Sequence, residues 1–233
     1  TIPTYLIAKI LPSWDIIKNS DITYDSNGDM DETIKIDKFY LEESVSNAYE
    51  LAFKEAGVDY KIKNSNNYVT YIYEKAKTDI KLFDNIKKYD NIEFTTFKVM
   101  QEYITNKEVG EKVNFLVIRN GKEIECFAEI IDINGTSKVG VSTAIVNEYE
   151  STPNIEIKHK NSESGSSGGL MLTLAIYNAI TKEDITNGLV VTGTGTIDSL
   201  GNVGAIGGVK YKLIGAVKNS SLLPTRIPVA SIQ

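Results

Sequence analysis

Cysteine and histidine are almost missing from this chain: Cys126 and His159 are the only ones in 233 residues. One thiol excludes an internal disulfide and any multi-cysteine zinc site. One imidazole means that a Ser-His-Asp site would have to use His159, with an acidic partner such as Glu163. His159 stands between Lys158 and Lys160 in a polar setting, where a solvated histidine is the simpler reading. Positive charge is also short, 25 Lys and Arg against 31 Asp and Glu, giving a net charge of −6 and a pI near 5.0. Proteins that bind nucleic acid usually present a basic face, so that class is excluded. No apolar run is long enough to cross a bilayer. The glycines between Gly201 and Gly208 are not followed by a lysine-serine or lysine-threonine pair, which excludes a phosphate loop and with it a nucleotide site. Asp25, Asn27 and Asp29 imitate the opening of a calcium loop. Met30 stands where its turn glycine belongs and Ile36 where its closing glutamate belongs, so the segment reads as a solvated turn and no metal is expected.

What is present points elsewhere. The chain is 42% hydrophobic, enough for packed cores in one large or two ordinary domains. Ser164-Gly165-Ser166-Ser167-Gly168-Gly169 leads into an apolar run from Leu170 to Ile180, broken only by Thr173 and Asn178. A segment apolar all round reads as a buried helix. Glycines at its mouth, together with the helix N-terminus, favour negative charge, so Ser167 would sit beside backbone donors able to hold an oxyanion. Taken alone, Gly-Ser-Ser-Gly-Gly reads more simply as a flexible linker. A second run, Gly204-Ala205-Ile206-Gly207-Gly208-Val209-Lys210-Tyr211-Lys212-Leu213, feeds a helix that carries two lysines. A serine beside backbone donors and a lysine on another element are the minimum for a Ser-Lys dyad. A free lysine titrates at about 10.4, and a working general base needs a value nearer ~7 to 8, which burial can supply. Lys210 and Lys212 flank the apolar face of Val209, Leu213, Ala216 and Val217 almost symmetrically, so periodicity does not choose between them.

In chain order, Thr4 to Ile10 reads as a strand and Ser20 to Asp31 as a polar loop. Leu41, Val45, Ala48 and Ala52 fall at helical spacing between Phe39 and Ala56, with Gly57 as the stop. Tyr68 to Tyr73 is rich in β-formers, Thr96 to Thr105 is a short helix, and Val113 to Arg119 and Lys122 to Ile130 are strands joined by an Asn120-Gly121 type I′ turn. Cys126 lies on the apolar face of that hairpin and is expected in a core. Val139 to Val146, Asn154 to Lys158 and Leu189 to Thr192 read as strands, with a turn at Asn187-Gly188. Strands alternating with helices make this last part α/β or α+β.

The order of elements from about Ser65 to Asp132 resembles a PDZ domain, with Phe83 replacing the glycine of that family's leucine, glycine-aspartate, isoleucine pattern. Gly165-Ser166-Ser167-Gly168-Gly169-Leu170, then Thr192-Gly193-Thr194-Gly195-Thr196, then Ile206-Gly207-Gly208-Val209-Lys210-Tyr211-Lys212 resemble the proteolytic domain of Lon-type proteases. The whole is most similar to the membrane-anchored, ATPase-free bacterial kind that carries an inserted PDZ domain. The resemblance implies an α+β fold: a Lon-type proteolytic domain of mixed sheets and packed helices, with a degenerate PDZ-like β domain inserted. It divides the chain into an N-terminal strand and amphipathic helix at 1–64, the PDZ-like domain at 65–132 and the proteolytic domain at 133–233. It implies Ser167 as nucleophile, Lys212 as general base, Thr192 orienting the lysine, and the N–H groups of Ser167 and Gly168 as oxyanion donors. Ser166 stands where the family usually has proline, which leaves two adjacent serines. The implied activity is an ATP-independent serine endopeptidase for peptides or flexible segments, without a cofactor, with the PDZ-like unit aiding recognition. A membrane anchor is expected ahead of Thr1, with the catalytic domain on the outer side of the cell membrane, and the family's rings admit a homo-oligomer. The alternative is a lapsed protease serving as a scaffold that binds extended peptides by strand addition.

Overall fold

The computed structural model describes residues 23, 29–158, 160 and 163–220. The strand expected from Thr4 to Ile10, together with Asp25, Asn27, His159 and the segment Leu222 to Pro228, lies outside the described residues. The chain divides into two compact units, Thr1–Ile36 and Asp37–Gln233.

In the first unit the polar loop ends sooner than expected, because helix α1 (Met30–Ala56) begins well before Phe39. Asp29 is its cap: one carboxylate oxygen accepts the N–H groups of Asp31 at 2.9 Å and Glu32 at 3.0 Å. Asp31 and Glu32 add negative charge to the first turn, where the helix dipole favours it.

In the second unit α1 runs from Asp37 to Ala56 and stops at Gly57, whose φ of 65° suits the left-handed cap. Gly57 N–H donates to the Lys54 carbonyl and Val58 N–H to that of Phe53, which closes the last turn. The remaining elements, in order, are β1 (Tyr60–Ile72), β2 (Asn85–Tyr89), β3 (Ile92–Glu93), α2 (Phe97–Thr105), β4 (Lys112–Arg119), β5 (Lys122–Glu129), β6 (Ile131–Ile133), β7 (Thr136–Lys138), β8 (Val141–Ser151), α3 (Gly169–Ile180), β9 (Thr196–Ile197), β10 (Val203–Gly204) and α4 (Val209–Ser220). The fold is α+β.

The main sheet is antiparallel, in the order β5-β4-β2-β1-β8, with β3 on β2. β1 pairs with β8 from Tyr60↔Ser151 to Ile72↔Val141. β1 spans residues 64 and 65, the boundary expected from the sequence, with a shift in its register on β8 between Ile62 and Asn64. Asn120 and Gly121 have φ of 53° and 75°, as the type I′ turn between β4 and β5 requires. One core gathers Val69, Ile86, Val113, Phe115, Val117 and Cys126 from the sheet under Met100 and Ile104 of α2. A second joins Ala48 and Ala52 of α1 to Ile176 of α3.

Two expected strands are absent. Asn154 to Lys158 and Leu189 to Thr192 are irregular, and Leu189, Val190 and Val191 are exposed. Strand propensity is realised only against a neighbouring strand, and among the described residues neither segment has one. α3 is also less enclosed than its apolar sequence implied: Gly169 and Ile176 are its buried residues, and Leu174 is exposed.

Phe83, the residue in place of glycine, has φ of 73°, a left-handed conformation that a bulky side chain seldom adopts. Its ring lies 6.1 Å from that of Phe39 on α1, which is itself stacked on Tyr68 at 4.3 Å. Beside it the fully buried Asp84 takes two bonds of 2.7 Å from Arg119 and one of 2.8 Å from the Lys81 N–H, tying the β1–β2 connection to the β4–β5 hairpin. Asp84→Ala would strand the guanidinium and should lower unfolding stability in urea by about 3 kcal/mol. Lys54→Ala, which breaks an exposed pair with Glu50, should cost about 0.5 kcal/mol or less.

Candidate active site

Three elements converge on the serine cluster. Gly165, with φ of 80°, donates its N–H to the Asp37 carbonyl of α1 at 2.8 Å. The Ser166 carbonyl accepts the Gly169 N–H at 3.1 Å, which closes a turn, and also the Ser44 hydroxyl of α1 at 3.1 Å. The Ser167 carbonyl accepts the Gly195 N–H at 2.9 Å and the Thr194 hydroxyl at 2.9 Å. Leu170 N–H returns a bond of 3.1 Å to the Gly195 carbonyl, so the serine segment is stitched to the threonine-glycine run.

The glycines make this approach possible. A Cβ on Gly169 would lie 2.5 Å from the Ser44 hydroxyl oxygen and 3.0 Å from a methyl of Ile197. α1, β9 and the start of α3 therefore meet where no side chain fits. Gly168 caps α3 without a side-chain bond. The N–H groups of Gly169 and Leu170 are taken, whereas those of Ser167 and Gly168 have no hydrogen-bond partner among the described residues. These are the two donors assigned to an oxyanion from the sequence.

α4 brings the lysine. Gly208, with φ of 69°, opens the helix, and its carbonyl accepts from the N–H groups of Tyr211 and Lys212. Lys212 Nζ donates to Thr194 Oγ1 at 3.1 Å, while Lys210 Nζ lies 5.5 Å from the centre of the Tyr211 ring. Of the two lysines that periodicity left open, Lys212 is the one that reaches the irregular threonine-glycine segment bonded to the Ser167 carbonyl. Lys212 is exposed as a whole, yet desolvation of its amine holds its pKa below the ordinary lysine range.

The Thr194 bridge has a direction. Its hydroxyl proton is committed to the Ser167 carbonyl, so its oxygen can only accept from the amine. A neutral Lys212 would spend an N–H on Thr194 and keep its lone pair for another proton. The hydroxyl bonded to the Lys212 amine is thus that of Thr194, two residues on from Thr192, which the sequence assigned to orienting the lysine and which is exposed. The repeat Thr192-Gly193-Thr194-Gly195-Thr196 offers the same residue at every second position, so a reading from the sequence can slip by two. Ser44 was missed because a serine within a helical pattern carries no signal of a long-range partner. Asp198 shapes the loop beyond: its carboxylate accepts from Leu200 N–H, Asn202 N–H and the Asn202 amide, and chiefly the last holds its pKa down. Among the described residues no three side chains are grouped to hold a metal, and no helix is long and apolar enough to cross a membrane.

With this geometry in place, comparison with known proteins gives a partial match. The Lon protease (S16) C-terminal proteolytic domain family matches residues 158–227. That stretch, which holds Ser167, Thr194 and Lys212, is similar to the proteolytic domain of a serine protease family. Among solved structures, the PDZ domain of the SdrC-like protein from Listeria monocytogenes is 21% identical, covering 36% of this chain and 92% of that one, with a TM-score of 0.32. The corresponding domain from Listeria innocua is 24% identical, covering 34% and 92%, with a TM-score of 0.31. A search of curated proteins finds no match.

Thr194→Val, which removes both bonds of the bridge, should lower stability in urea by about 1 to 2 kcal/mol. Thr192→Val should stay within about 0.5 kcal/mol of wild type.

Proposed function

We propose that the chain is a serine endopeptidase that works by a Ser167–Lys212 dyad, without ATP or a cofactor, on peptides or flexible protein segments. The observation that carries this reading is the Thr194 hydroxyl, bonded at once to the Ser167 carbonyl and the Lys212 amine. In this mechanism Ser167 Oγ attacks the peptide carbonyl carbon while Lys212 Nζ takes its proton. The carbonyl oxygen, now an oxyanion, is held by the N–H groups of Ser167 and Gly168. Collapse of the tetrahedral adduct breaks the C–N bond, and the Lys212 ammonium gives its proton to the leaving amine. Water, deprotonated by the same amine, then releases the acyl group and restores the serine.

The PDZ-like unit is assigned a part in admitting or positioning substrate. An anchor outside this chain is proposed to hold the protein at the membrane with its catalytic domain extracytoplasmic, and assembly into a homo-oligomer is part of the same proposal. The scaffold alternative has less support, because it gives no role to the Thr194 hydroxyl that ties the Ser167 carbonyl to the Lys212 amine.

The test is turnover of a fluorogenic peptide library. Activity should vanish in Ser167→Ala and Lys212→Ala and persist in Ser166→Ala and Lys210→Ala; cleavage by Ser167→Ala, or none by wild type, overturns the reading. Because only the neutral amine accepts a proton, kcat/KM should rise with pH through the depressed pKa of Lys212 and fall away on the acid side. A profile flat across that limb would remove Lys212 as the base.

A further inference from the structure

A trans peptide is planar, so fixing the direction of its C=O fixes the N–H on its far side. The two expected oxyanion donors belong to two successive peptides, Ser166–Ser167 and Ser167–Gly168. The second is aimed from within the site, because Thr194 and Gly195 hold the Ser167 carbonyl. The first is aimed from outside it. The Ser166 carbonyl is held by the Gly169 N–H of its own turn and by the Ser44 hydroxyl, which reaches it across 122 residues of sequence. Ser44 is 2% exposed, and its oxygen fills the space that a side chain at Gly169 would need.

We infer that Ser44 is a positioning residue for the oxyanion site: by holding the Ser166 carbonyl it turns the Ser167 N–H toward the reacting carbonyl. The inference rests on the dyad reading above and names a residue outside the motifs that carry that reading. The surroundings of Ser44 support it. Asn47, one turn along the same face of α1, donates its amide to the Ile197 carbonyl at 3.2 Å, and Ile197 packs on Gly169. Ala48 and Ala52, both fully buried, let the helix press on Ile176 of α3. α1 is thus fixed against both halves of the site, and Ser44 is where that fixity meets the peptide bearing the donor. Without its hydroxyl the turn keeps its internal bond from Gly169 but loses its tie to the helix.

An oxyanion donor acts on the transition state and not on the bound substrate, so its misdirection shows in kcat. Ser44→Ala should lower kcat by about tenfold with KM within about twofold. It should weaken a peptide boronate by a similar factor and leave the pH limb set by Lys212 in place. Ser46→Ala is the matched control. Ser46 is equally buried on α1, but its hydroxyl serves the Asn147 backbone, so this variant should lose stability and keep kcat within about twofold of wild type. A Ser44→Ala protein with kcat unchanged, or with kcat and KM altered only in step with its loss of stability, overturns the inference. Amide NMR of the full chain separates the two claims. If wild type cleaves nothing and binds no boronate, the dyad reading falls. The orienting role then stands only if Ser44→Ala moves the Ser167 amide signal more than that of Gly168, and equal or absent shifts end it.

Discussion

Peptide planarity is the constraint on which the site depends. Between Gly165 and Leu170 the carbonyls of Ser166 and Ser167 and the N–H groups of Gly165, Gly169 and Leu170 are bonded to α1, to their own turn or to the Thr194-Gly195 segment, which restrains the two peptides on either side of Ser167. Each bond contributes only about 1 kcal/mol net. Their effect lies in number: several weak bonds on a short segment restrain the peptides that carry the Ser167 and Gly168 N–H groups at the mouth of α3, where the helix dipole favours negative charge. Preorganised dipoles of this kind need not reorient as charge develops.

The lysine is held differently. Lys212 comes from a helix whose residues are largely exposed, and its anchor to the serine segment is a single hydroxyl. Thr194 acts as an adaptor between a rigid backbone and a long side chain. Because its proton is already spent on the Ser167 carbonyl, it restrains an N–H of the amine without occupying the lone pair. Desolvation lowers the pKa of the amine, and the exposure of the residue leaves it within reach of solvent protons.

Much of this was legible in the sequence where local chemistry and register agreed. Gly57 as a helix stop, Asn120-Gly121 as a turn, Thr96 at the start of a helix and Cys126 in a core follow from rules that involve few neighbours. Phe83 was visible as an anomaly, and its φ shows why glycine suits that position. Other features depended on distant partners. Leu189 to Thr192 has the composition of a strand but, among the described residues, no strand beside it. Thr194 was hidden by its own repeat. Asp29 was read as part of a solvated turn, yet it caps a helix that the apolar spacing alone did not extend so far. Ser44 left no trace at all, since a hydroxyl in a helix announces neither its direction nor a carbonyl 122 residues away.

The pairing of β1 with β8 ends at Ile72↔Val141. The chain therefore leaves this ribbon and rejoins it at neighbouring points, while β2, within the intervening residues 73–140, pairs back onto β1 at Tyr68↔Asn85. Insertions in the exposed turns of that stretch leave the ribbon in place, whereas a change in β2 is passed to β1 through the ladder they share.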